Sequence, residues 1–458
     1  MTIDLHITLD RNSEQPLPRQ LADRIRTLIS GGQLAKGTRL PPTRTLAAEL
    51  AIGRRSVVDA FEQLVGEGWL QAKHGSGTWV AEVQPIRMAA TESKPDLIDP
   101  EVPPFDLFPG EIEISDRLQT AWRSAIRRAR LEGTEVPDLG VLRLRAAIAH
   151  YLTTNRGFAT TASDVIVTAG TTESMLLVGT ALALSNSRVG IEDPGYPRTA
   201  AVLRMLGATL CPIAVGDDGI DVNQVAEQAA ALKAVTVSPS HQYPTGHRMP
   251  IRARQSLIAL SRESGFTIVE DDYDSEFRYE APPLAPLATL DEHVIYLGTF
   301  SKLLDPGLRT AYVVTRGDRR AQVEHVRRSL GPTVAWPIQA AIADLIESGE
   351  LEAIAASQRR RYAARRRLVA DRLTAAPGVL RVSGLDAGLH VTLELDHAID
   401  ASAVQAELLE AGVVVGTLDD CRIEPDVTTP GLIVSYAGHD LDSLSRCANT
   451  IVASLASA

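Results

Sequence analysis

Six short apolar runs rich in β-branched residues are the strongest indication of how this chain folds. They read DVIVTAG, RVGIEDPG, AVTVSPS, FTIVEDDYD, VIYLGTF and TAYVVT, and stretches of helical character separate them. This alternation predicts an α/β fold with a mostly parallel sheet that helices cover on both faces. Each run finishes in polar or small residues, and ligands of such sheets bind at the carboxyl ends of the strands.

The chain is too long for one such domain, and its charge is unevenly distributed. With 458 residues and 45% hydrophobic content, it is expected to form two or three domains with large cores. The net charge is −11, but residues 1–80 hold ten Lys or Arg against eight Asp or Glu, which leaves −13 for residues 81–458. Any contact with DNA is therefore expected in the N-terminal fifth.

The remaining composition predicts a soluble cytoplasmic protein. No segment approaches the apolar length of a membrane span, and the N-terminus lacks a basic start followed by an apolar run. The cysteines Cys211, Cys421 and Cys447 are widely spaced and form no CxxC pair. They predict reduced, buried thiols and no metal site.

Three helices and a hairpin are predicted for residues 18–80. The spacing of Leu and Ile over 18–33 predicts the first helix, and Thr43 is expected to cap the second. The segment RRSVVDAFEQLVGEGWL predicts the third, and WLQAKHGSGTWVA alternates like a β-hairpin. A helix with basic residues at its start, placed after a helix and a turn, is the arrangement that enters a major groove. The residues predicted to face inward on the third helix are Val57, Val58, Phe61, Leu64 and Val65.

These residues also fit a generic small domain with arginines on its solvated face, but the exact residue sequence of the segment favours DNA binding. The stretch RLPPTRTLAAELAIGRRSVVDAFEQLVGEGWLQAKHGSGTWVA closely resembles the winged helix-turn-helix of GntR-type repressors over its whole length. Arg54 and Arg55 are the main candidates for base or phosphate contact. The resemblance implies DNA contacts by Arg44, Arg54, Arg55, Ser56 and the wing residues His74 and Thr78.

Residues 81–110 predict an extended connector. They contain six prolines and no sustained hydrophobic period. Two interpretations stay open, a spacer without further role and a linker of tuned length.

Two segments offer groups that bind a phosphate. TAGTTES follows a strand and opens a helix, where free backbone N–H groups attract anions. GTFSKLLDPGLR adds two hydroxyls and a permanent cation. The predicted phosphate ligands are Gly170, Thr171, Thr172, Thr299, Ser301 and Arg309.

Lys302 lies among these groups in the sequence. A lysine amine beside a phosphate anchor is the arrangement that a Schiff base to pyridoxal phosphate requires. Asp271 could meet a protonated pyridine nitrogen, Tyr273 could reach the phenolate oxygen, and Tyr196 could stack on the ring. Taken singly, each residue also fits a solvated strand end, a polar loop or plain packing, and so does Tyr243. Their occurrence together in this order favours the cofactor.

The order DLGVLRLRAAIAHYL, TAGTTES, EDPGYPR, PSHQYPTG, VEDDYDSEFRY, GTFSKLLDPGLR resembles fold-type-I aminotransferases of the aspartate aminotransferase class. It is closer still to the MocR subfamily of GntR-type regulators, over nearly the whole chain. The resemblance implies a GntR-type domain at 1–80, a linker at 81–110, a large domain at 111–330 and a small domain at 331–458. It also implies a homodimer with sites near the subunit interface.

The resemblance further implies roles for single residues. Lys302 would carry the internal aldimine, and Asp271, Tyr273 and Tyr196 would take the roles given above. Arg198 and His241 would face the effector. The implied phosphate ligands are Thr171, Thr172, Thr299 and Arg309.

The sequence departs from the aminotransferase pattern at three places. Tyr243 stands where those enzymes have Asn, so the usual amide contact to the ring oxygen is absent or supplied by Gln242. Ile433 stands where they have the arginine that binds the substrate carboxylate, and Arg198 or Arg422 are the alternative anchors. No tyrosine precedes Gly140. Efficient transamination is therefore not expected.

The expected function is a pyridoxal-phosphate-dependent regulator whose winged helix binds double-stranded operator DNA. Its large domain would sense pyridoxal phosphate itself or an amino compound that forms an external aldimine. Vitamin B6 synthesis is the first target to test, because a missing carboxylate anchor suits a sensor of the cofactor. The alternatives are a genuine aminotransferase with an accessory N-terminal domain and a regulator that has lost the cofactor. Intact Lys302, Asp271 and Arg309 argue against the latter.

Overall fold

The structure is a computed structural model that describes residues 7–11, 13, 15–73, 77–82, 105–129, 135–280, 284–423 and 429–458. The chain divides into two compact units, Met1–Pro100 and Glu101–Ala458. The domain limits predicted from the sequence are finer than this division and stay predictions.

The first unit contains three helices and a two-stranded hairpin. Leu21 and Ile25 are fully buried, and they belong to one core with Phe61 and Leu64 because the apolar residues of the helices recur at helical spacing. The hairpin strands pair antiparallel, so the predicted wing is present. The elements are α1 Leu17–Ser30, α2 Thr43–Glu49, α3 Arg54–Gly66, β1 Leu70–Lys73 and β2 Gly77–Val80.

Two details of the first unit differ from the sequence predictions. Thr43 is the first residue of α2 and does not cap it, because Pro42 occupies the capping position and no side chain caps the helix. Val65 is 37% exposed, whereas Ala60 is buried on the inner face. Helix α3 buries Ala60, which the sequence prediction omitted because it considered only the larger apolar side chains.

The second unit contains the other strands and helices of the described residues. Its strands are β3 Phe105–Asp106, β4 Val165–Thr168, β5 Arg188–Asp193, β6 Thr209–Gly216, β7 Gly219–Ile220, β8 Leu232–Val237, β9 Thr267–Asp272, β10 Ile295–Thr299, β11 Ala311–Val314, β12 Val379–Ser383, β13 His390–Leu395, β14 Val413–Val414, β15 Gly416–Thr417 and β16 Gly431–Ser435. Its helices are α4 Asp116–Arg128, α5 Leu142–Arg156, α6 Thr171–Ala181, α7 Pro197–Met205, α8 Val222–Gln228, α9 Ile251–Ser264, α10 Gly317–Leu330, α11 Trp336–Glu347, α12 Glu350–Leu373, α13 Ala401–Glu410 and α14 Leu441–Ser457.

An eight-stranded sheet in the order β4-β11-β10-β9-β8-β5-β6-β7 forms the centre of the second unit. Alternate residues point to opposite faces, so Val165 and Tyr296 enter one hydrophobic core while Ile166 and Ile295 enter another. The predicted α/β fold with helices on both faces is therefore confirmed.

One of the six predicted strands runs in the other direction. Strand β11 pairs antiparallel with both β10 and β4, whereas β5, β6, β8, β9 and β10 pair parallel with their neighbours in that group. The expectation that the carboxyl end of TAYVVT lies with the other strand ends is wrong, because its amino end, next to Arg309 and Thr310, lies there. Strand β6 was not among the six predicted runs.

A smaller sheet in the order β12-β13-β16-β15 follows in the sequence. The short strand β3 pairs parallel with β14, and the Leu107 amide donates to the carbonyl oxygen of Val414 over 2.9 Å. Residues 105–110, the last part of the predicted linker, are thus built into the second unit. Residues 83–104 lie outside the described part of the chain.

Helix α12 contains the arginine-rich stretch SQRRRYAARRRLVADRL, a pattern of charges that is typical of a solvated helix face. Arg365 and Arg366 are instead buried, because Arg365 pairs with Glu113 and donates to the carbonyl oxygen of Ala437, while Arg366 donates to that of Leu385. Paired guanidinium groups tolerate such burial. None of the helices in the described ranges is both long and apolar enough to cross a membrane.

Candidate cofactor site

A cavity of about 510 Å³ lies at the carboxyl ends of the parallel strands. Cavities of this volume are typical of small-molecule sites. Most of the predicted site residues line it, although they come from five separate segments of the sequence. These are Gly170, Thr171, Thr172, Tyr196, Arg198, Tyr243, Asp271, Tyr273, Thr299, Ser301, Lys302 and Arg309.

One end of the cavity is formed by the start of α6 and by Arg309. Gly170 precedes α6 with a φ of 90°, and a Cβ atom at this position would lie 3.4 Å from the Arg309 guanidinium. The positive φ favours glycine at this position, and a Cβ atom at 3.4 Å would be in ordinary van der Waals contact with Arg309. The Thr299 hydroxyl donates to the Ser301 hydroxyl and accepts from its amide, both over 3.1 Å. A helix N-terminus, hydroxyls and a guanidinium together fit a phosphate dianion.

Lys302 follows β10, and its side chain is inside the cavity wall. The Lys302 amine donates a hydrogen bond to the carbonyl oxygen of Gly110 over 3.1 Å. Burial lowers the pKa of Lys302, and the charge of Asp274 partly opposes this change. A lower pKa increases the fraction of neutral amine, which is the nucleophilic form.

One carboxyl oxygen of Asp271, in strand β9, lacks a hydrogen-bond partner among the described residues. Its Oδ1 atom is buried and accepts no hydrogen bond from the residues that the structure describes. Burial, with the neighbouring charges of Asp272 and Asp274, raises the pKa of Asp271 to about 7. A buried acceptor without a donor is costly unless a ligand supplies one. A protonated ring nitrogen would do so, and this orphaned oxygen is the observation that best fits pyridoxal phosphate to the cavity.

Three tyrosines form one wall of the cavity. The rings of Tyr196 and Tyr243 meet edge to face with centroids 5.4 Å apart, and those of Tyr243 and Tyr273 do so at 6.1 Å. Burial raises the pKa of Tyr273 well above its ordinary value, so its phenol stays neutral and can donate a hydrogen bond. This wall can pack against a flat aromatic ring.

Comparison with known proteins decides which family has this combination. Residues 17–80 match the family of bacterial regulatory proteins of the gntR type, and residues 114–451 match aminotransferase class I and II. The chain is 32% identical to the pyridoxine biosynthesis transcriptional regulator PdxR of Corynebacterium glutamicum over 97% of each chain. It is 31% identical to the probable rhizopine catabolism regulatory protein MocR of Rhizobium meliloti, over 97% of this chain and 95% of that one. The chain belongs to the MocR subfamily of GntR-type transcriptional regulators.

The fold of this MocR-type regulator agrees with that assignment. The kynurenine aminotransferase of Pyrococcus horikoshii superposes with a TM-score of 0.70 at 21% identity, over 77% of this chain and 91% of that one. The regulator is thus a DNA-binding protein with an aminotransferase-like domain, and its cofactor is pyridoxal 5′-phosphate. The coenzyme supplies an aldehyde that a lysine amine can bind covalently.

Ile433 lies on β16 of the MocR-type chain and is fully buried. It packs in one cluster with Tyr243 and Cys421, against which Tyr196 and Tyr273 also pack. The place where the sequence predicted a missing carboxylate anchor is therefore filled by apolar and neutral side chains. Arg198 lines the cavity but is exposed to solvent.

Three predicted residues of the MocR-type chain do not line the cavity. The Gln242 amide is fully buried and donates to the carbonyl oxygen of Pro194 over 2.8 Å, and Gln242 does not line the cavity. The Nδ1 atom of His241 lies 3.2 Å from the hydroxyl of Tyr273, which lines the cavity, whereas His241 itself does not. Arg422 lies at a separate cavity of about 100 Å³. The order of motifs could not show these directions, because a turn sets them through its backbone.

Several residues of the cavity wall were not predicted from the sequence. The stretch Phe108–Glu111 lines the cavity, although its first three residues fell inside the predicted linker, where no hydrophobic period marks a fold. Asp274 stands in the EDDYDSEFRY motif, so its neighbours were the available signal. His390 begins a late strand and had no such signal.

The first unit of the MocR-type regulator places the predicted DNA contacts on its surface. Arg44 on α2 and Arg54 and Arg55 at the start of α3 are exposed, and Arg55 forms an i, i+4 ion pair with Asp59 over 2.8 Å. Ser56 lies in the same first turn of α3. Thr78 lies on β2 opposite Ala72, and His74 lies outside the described residues.

Proposed function

We propose that this regulator senses pyridoxal phosphate itself, bound through Lys302, and changes its affinity for operator DNA in response. The observation that carries the proposal is the apolar cluster around Ile433, where a substrate carboxylate would otherwise bind. A carboxylate placed against this cluster would be buried among neutral side chains, which is costly without a partner. Pyridoxal phosphate carries no carboxylate and makes no such demand.

Different residues of the cavity would contact different parts of the cofactor. Lys302 would hold its aldehyde carbon, Asp271 its ring nitrogen and Tyr273 its phenolate oxygen, while Tyr196 would stack on the ring. The phosphate would bind to Gly170, Thr171, Thr172, Thr299, Ser301 and Arg309. The name of the Corynebacterium glutamicum relative, a regulator of pyridoxine biosynthesis, supports a target in the same metabolism.

Operator binding would belong to the first unit. Arg54 and Arg55 would contact bases or phosphates, and Arg44, Ser56, His74 and Thr78 would complete the surface. We also infer a cytoplasmic homodimer, because a two-fold protein binds two half-sites of an operator. Sedimentation of the purified protein tests the dimer directly.

An electrophoretic shift assay on the DNA upstream of the protein's own gene tests the function. We expect operator affinity to differ between the cofactor-free and the loaded protein. Because linkage is reciprocal, operator DNA should change the affinity for pyridoxal phosphate by the same factor. Equal operator affinity in both states would leave the large domain without a sensing role.

A genuine aminotransferase is the second candidate function. The presence of Lys302, Asp271 and Arg309 in one cavity favours it. Mixing the loaded protein with single amino acids in stoichiometric amounts and measuring pyridoxamine phosphate distinguishes the two functions. We expect little conversion, since Ile433 replaces the carboxylate anchor.

A further inference from the structure

Asp274 and His241 form a buried pair at the edge of the cavity. The Nδ1 atom of His241 lies 2.9 Å from an Asp274 carboxylate oxygen and 3.2 Å from the Tyr273 hydroxyl. The two side chains are 1% and 2% exposed, respectively, yet Asp274 lines the same cavity as Lys302. The Nε2 atom of His241 is buried and has no partner within the described ranges. Only the Nδ1 atom of the imidazole therefore takes part in the contact with Asp274.

Two glycines enclose this pair. A Cβ atom at Gly388 would lie 2.0 Å from the imidazole Cε1 and 2.8 Å from the Asp274 carboxylate, and one at Gly246 would lie 3.0 Å from Nε2. Both glycines have a positive φ, which other residues rarely adopt. No larger side chain fits against the imidazole at either position. His241 is thus held behind the cavity, and Asp274 is the member of the pair that faces it.

The neighbours of the pair leave few groups able to exchange a proton near neutral pH. Lys302, Asp271, Tyr273 and His390 line the same cavity as Asp274. Tyr279 and Tyr436 donate to the carbonyl oxygen of Gly388, which lies against the imidazole, and His247 directly follows Gly246 in the sequence. Burial raises the pKa of each of these tyrosines, and it lowers the pKa of His390 to about 3 and also that of His247. All five are therefore neutral. Asp271 is reserved for the ring nitrogen under the proposed function.

Covalent capture of an aldehyde by Lys302 requires two proton transfers. The ammonium must lose a proton before its nitrogen can attack, and the aldehyde oxygen must gain protons to depart as water. Asp274 is a buried carboxylate in the same cavity as this amine, and the charge of Asp274 acts on Lys302. Glu111 also lines the cavity, but it is exposed to solvent.

We propose that Asp274, oriented by His241, accepts the proton of the Lys302 ammonium and returns it to the departing oxygen. The N–H bond of the ammonium breaks, the nitrogen electron pair forms the bond to the aldehyde carbon, and the C–O bond breaks. The oxygen leaves as water with one proton from the nitrogen and one from Asp274, and no electrons are exchanged. His241 is a positioning residue that acts through Asp274. This inference rests on the proposed binding of pyridoxal phosphate to Lys302.

The test follows the rate at which cofactor-free protein captures pyridoxal phosphate, from pH 5.5 to pH 9, with borohydride to trap the bond to Lys302. The variants are Asp274→Asn, His241→Phe and His241→Asn, and the exposed Asp218→Asn is the control. We expect Asp274→Asn to slow capture by ~10²-fold near pH 7 and to change the shape of the pH profile. We expect His241→Phe to displace the profile, and His241→Asn, whose amide can still donate to Asp274, to restore most of the rate.

A second readout needs no cofactor. The same variants are treated with formaldehyde and borohydride, and methylation of Lys302 is measured by peptide mass spectrometry; we expect the same order of rates. Unchanged rates and pH profiles in Asp274→Asn and His241→Phe would overturn the inference. If Asp274→Asn does not fold, the comparison of the two His241 variants decides. Absence of any trapped adduct in the wild-type protein would instead reject the proposed function.

Discussion

The Lys302 amine donates a hydrogen bond to the main-chain carbonyl oxygen of Gly110, with 3.1 Å between the two atoms. Gly110 ends a segment whose Phe105 and Asp106 pair with β14 and whose Leu107 carbonyl accepts from the Ser435 amide over 2.8 Å. A covalent bond between Lys302 and an aldehyde would use hydrogens of this amine, so cofactor binding through Lys302 would weaken the contact with Gly110.

The first prediction concerns the segment from Phe105 to Glu113. Loss of the Lys302 donor should loosen it, so cofactor-free Lys302→Ala should exchange the backbone amides of this segment faster than the cofactor-free wild type. Hydrogen–deuterium exchange with mass spectrometry measures the difference. Lys233→Ala, a change at an exposed lysine on β8, is the matched control. Identical exchange in all three proteins would show that the hydrogen bond to Gly110 contributes nothing to the order of the segment.

The second prediction concerns the covalent site. Lys302→Ala should abolish the borohydride-reducible adduct with pyridoxal phosphate, because no other lysine lines the described cavity. Peptide mass spectrometry after reduction locates the adduct, and circular dichroism checks that the fold survives. The Lys233→Ala control should label like the wild type. An adduct of full yield in Lys302→Ala would move the chemistry to another lysine.

The third prediction concerns DNA. Arg54→Ala and Arg55→Ala should each weaken operator binding by roughly 1–3 kcal/mol if the side chains contact bases or phosphates. Fluorescence anisotropy at fixed salt measures the affinity, and the exposed Arg127→Ala in the second unit is the control. Wild-type affinity in both first-unit variants would contradict the assignment of α3 to the major groove.

The fourth prediction concerns pH. The pKa of Asp271 is raised from 3.8 to about 7 on folding, so between these values the folded protein binds more protons than the unfolded chain. The stability due to this group is complete at low pH and is lost as the pH rises toward 7. In the cofactor-free state, Asp271→Asn should therefore lose less stability than the wild type between pH 5 and pH 7.5, by roughly 2 kcal/mol.

Thermal unfolding at the two pH values measures this difference. Some pH dependence should remain in Asp271→Asn, because burial raises the pKa of Glu192 to about 8 and that of Glu270 to about 7. Equal pH dependence in the mutant and the wild type would mean that Asp271 is ionised in the cofactor-free protein.

The sequence predicted those parts of the fold and site that depend on local patterns. Apolar runs marked the strands, and Asp271 and Lys302 were found because they stand in or directly after such runs. The reversed direction of β11 was not predicted, because parallel and antiparallel strands can have the same spacing of apolar residues. Gln242, one of the two alternatives given for the contact to the ring oxygen, does not line the cavity, because its amide donates to Pro194, which is distant in sequence.

The position of Phe108 to Glu111 in the cavity wall limits how this chain can be divided. The part that matches the aminotransferase family begins at residue 114, and a fragment expressed from there would lack these four residues. It would also lack β3, which leaves the edge of β14 unpaired. The gene segment that precedes the recognisable enzyme-like domain thus encodes a piece of its binding pocket. A chimaera that exchanges the DNA-binding units of two such chains would therefore have to join the two sequences upstream of residue 105.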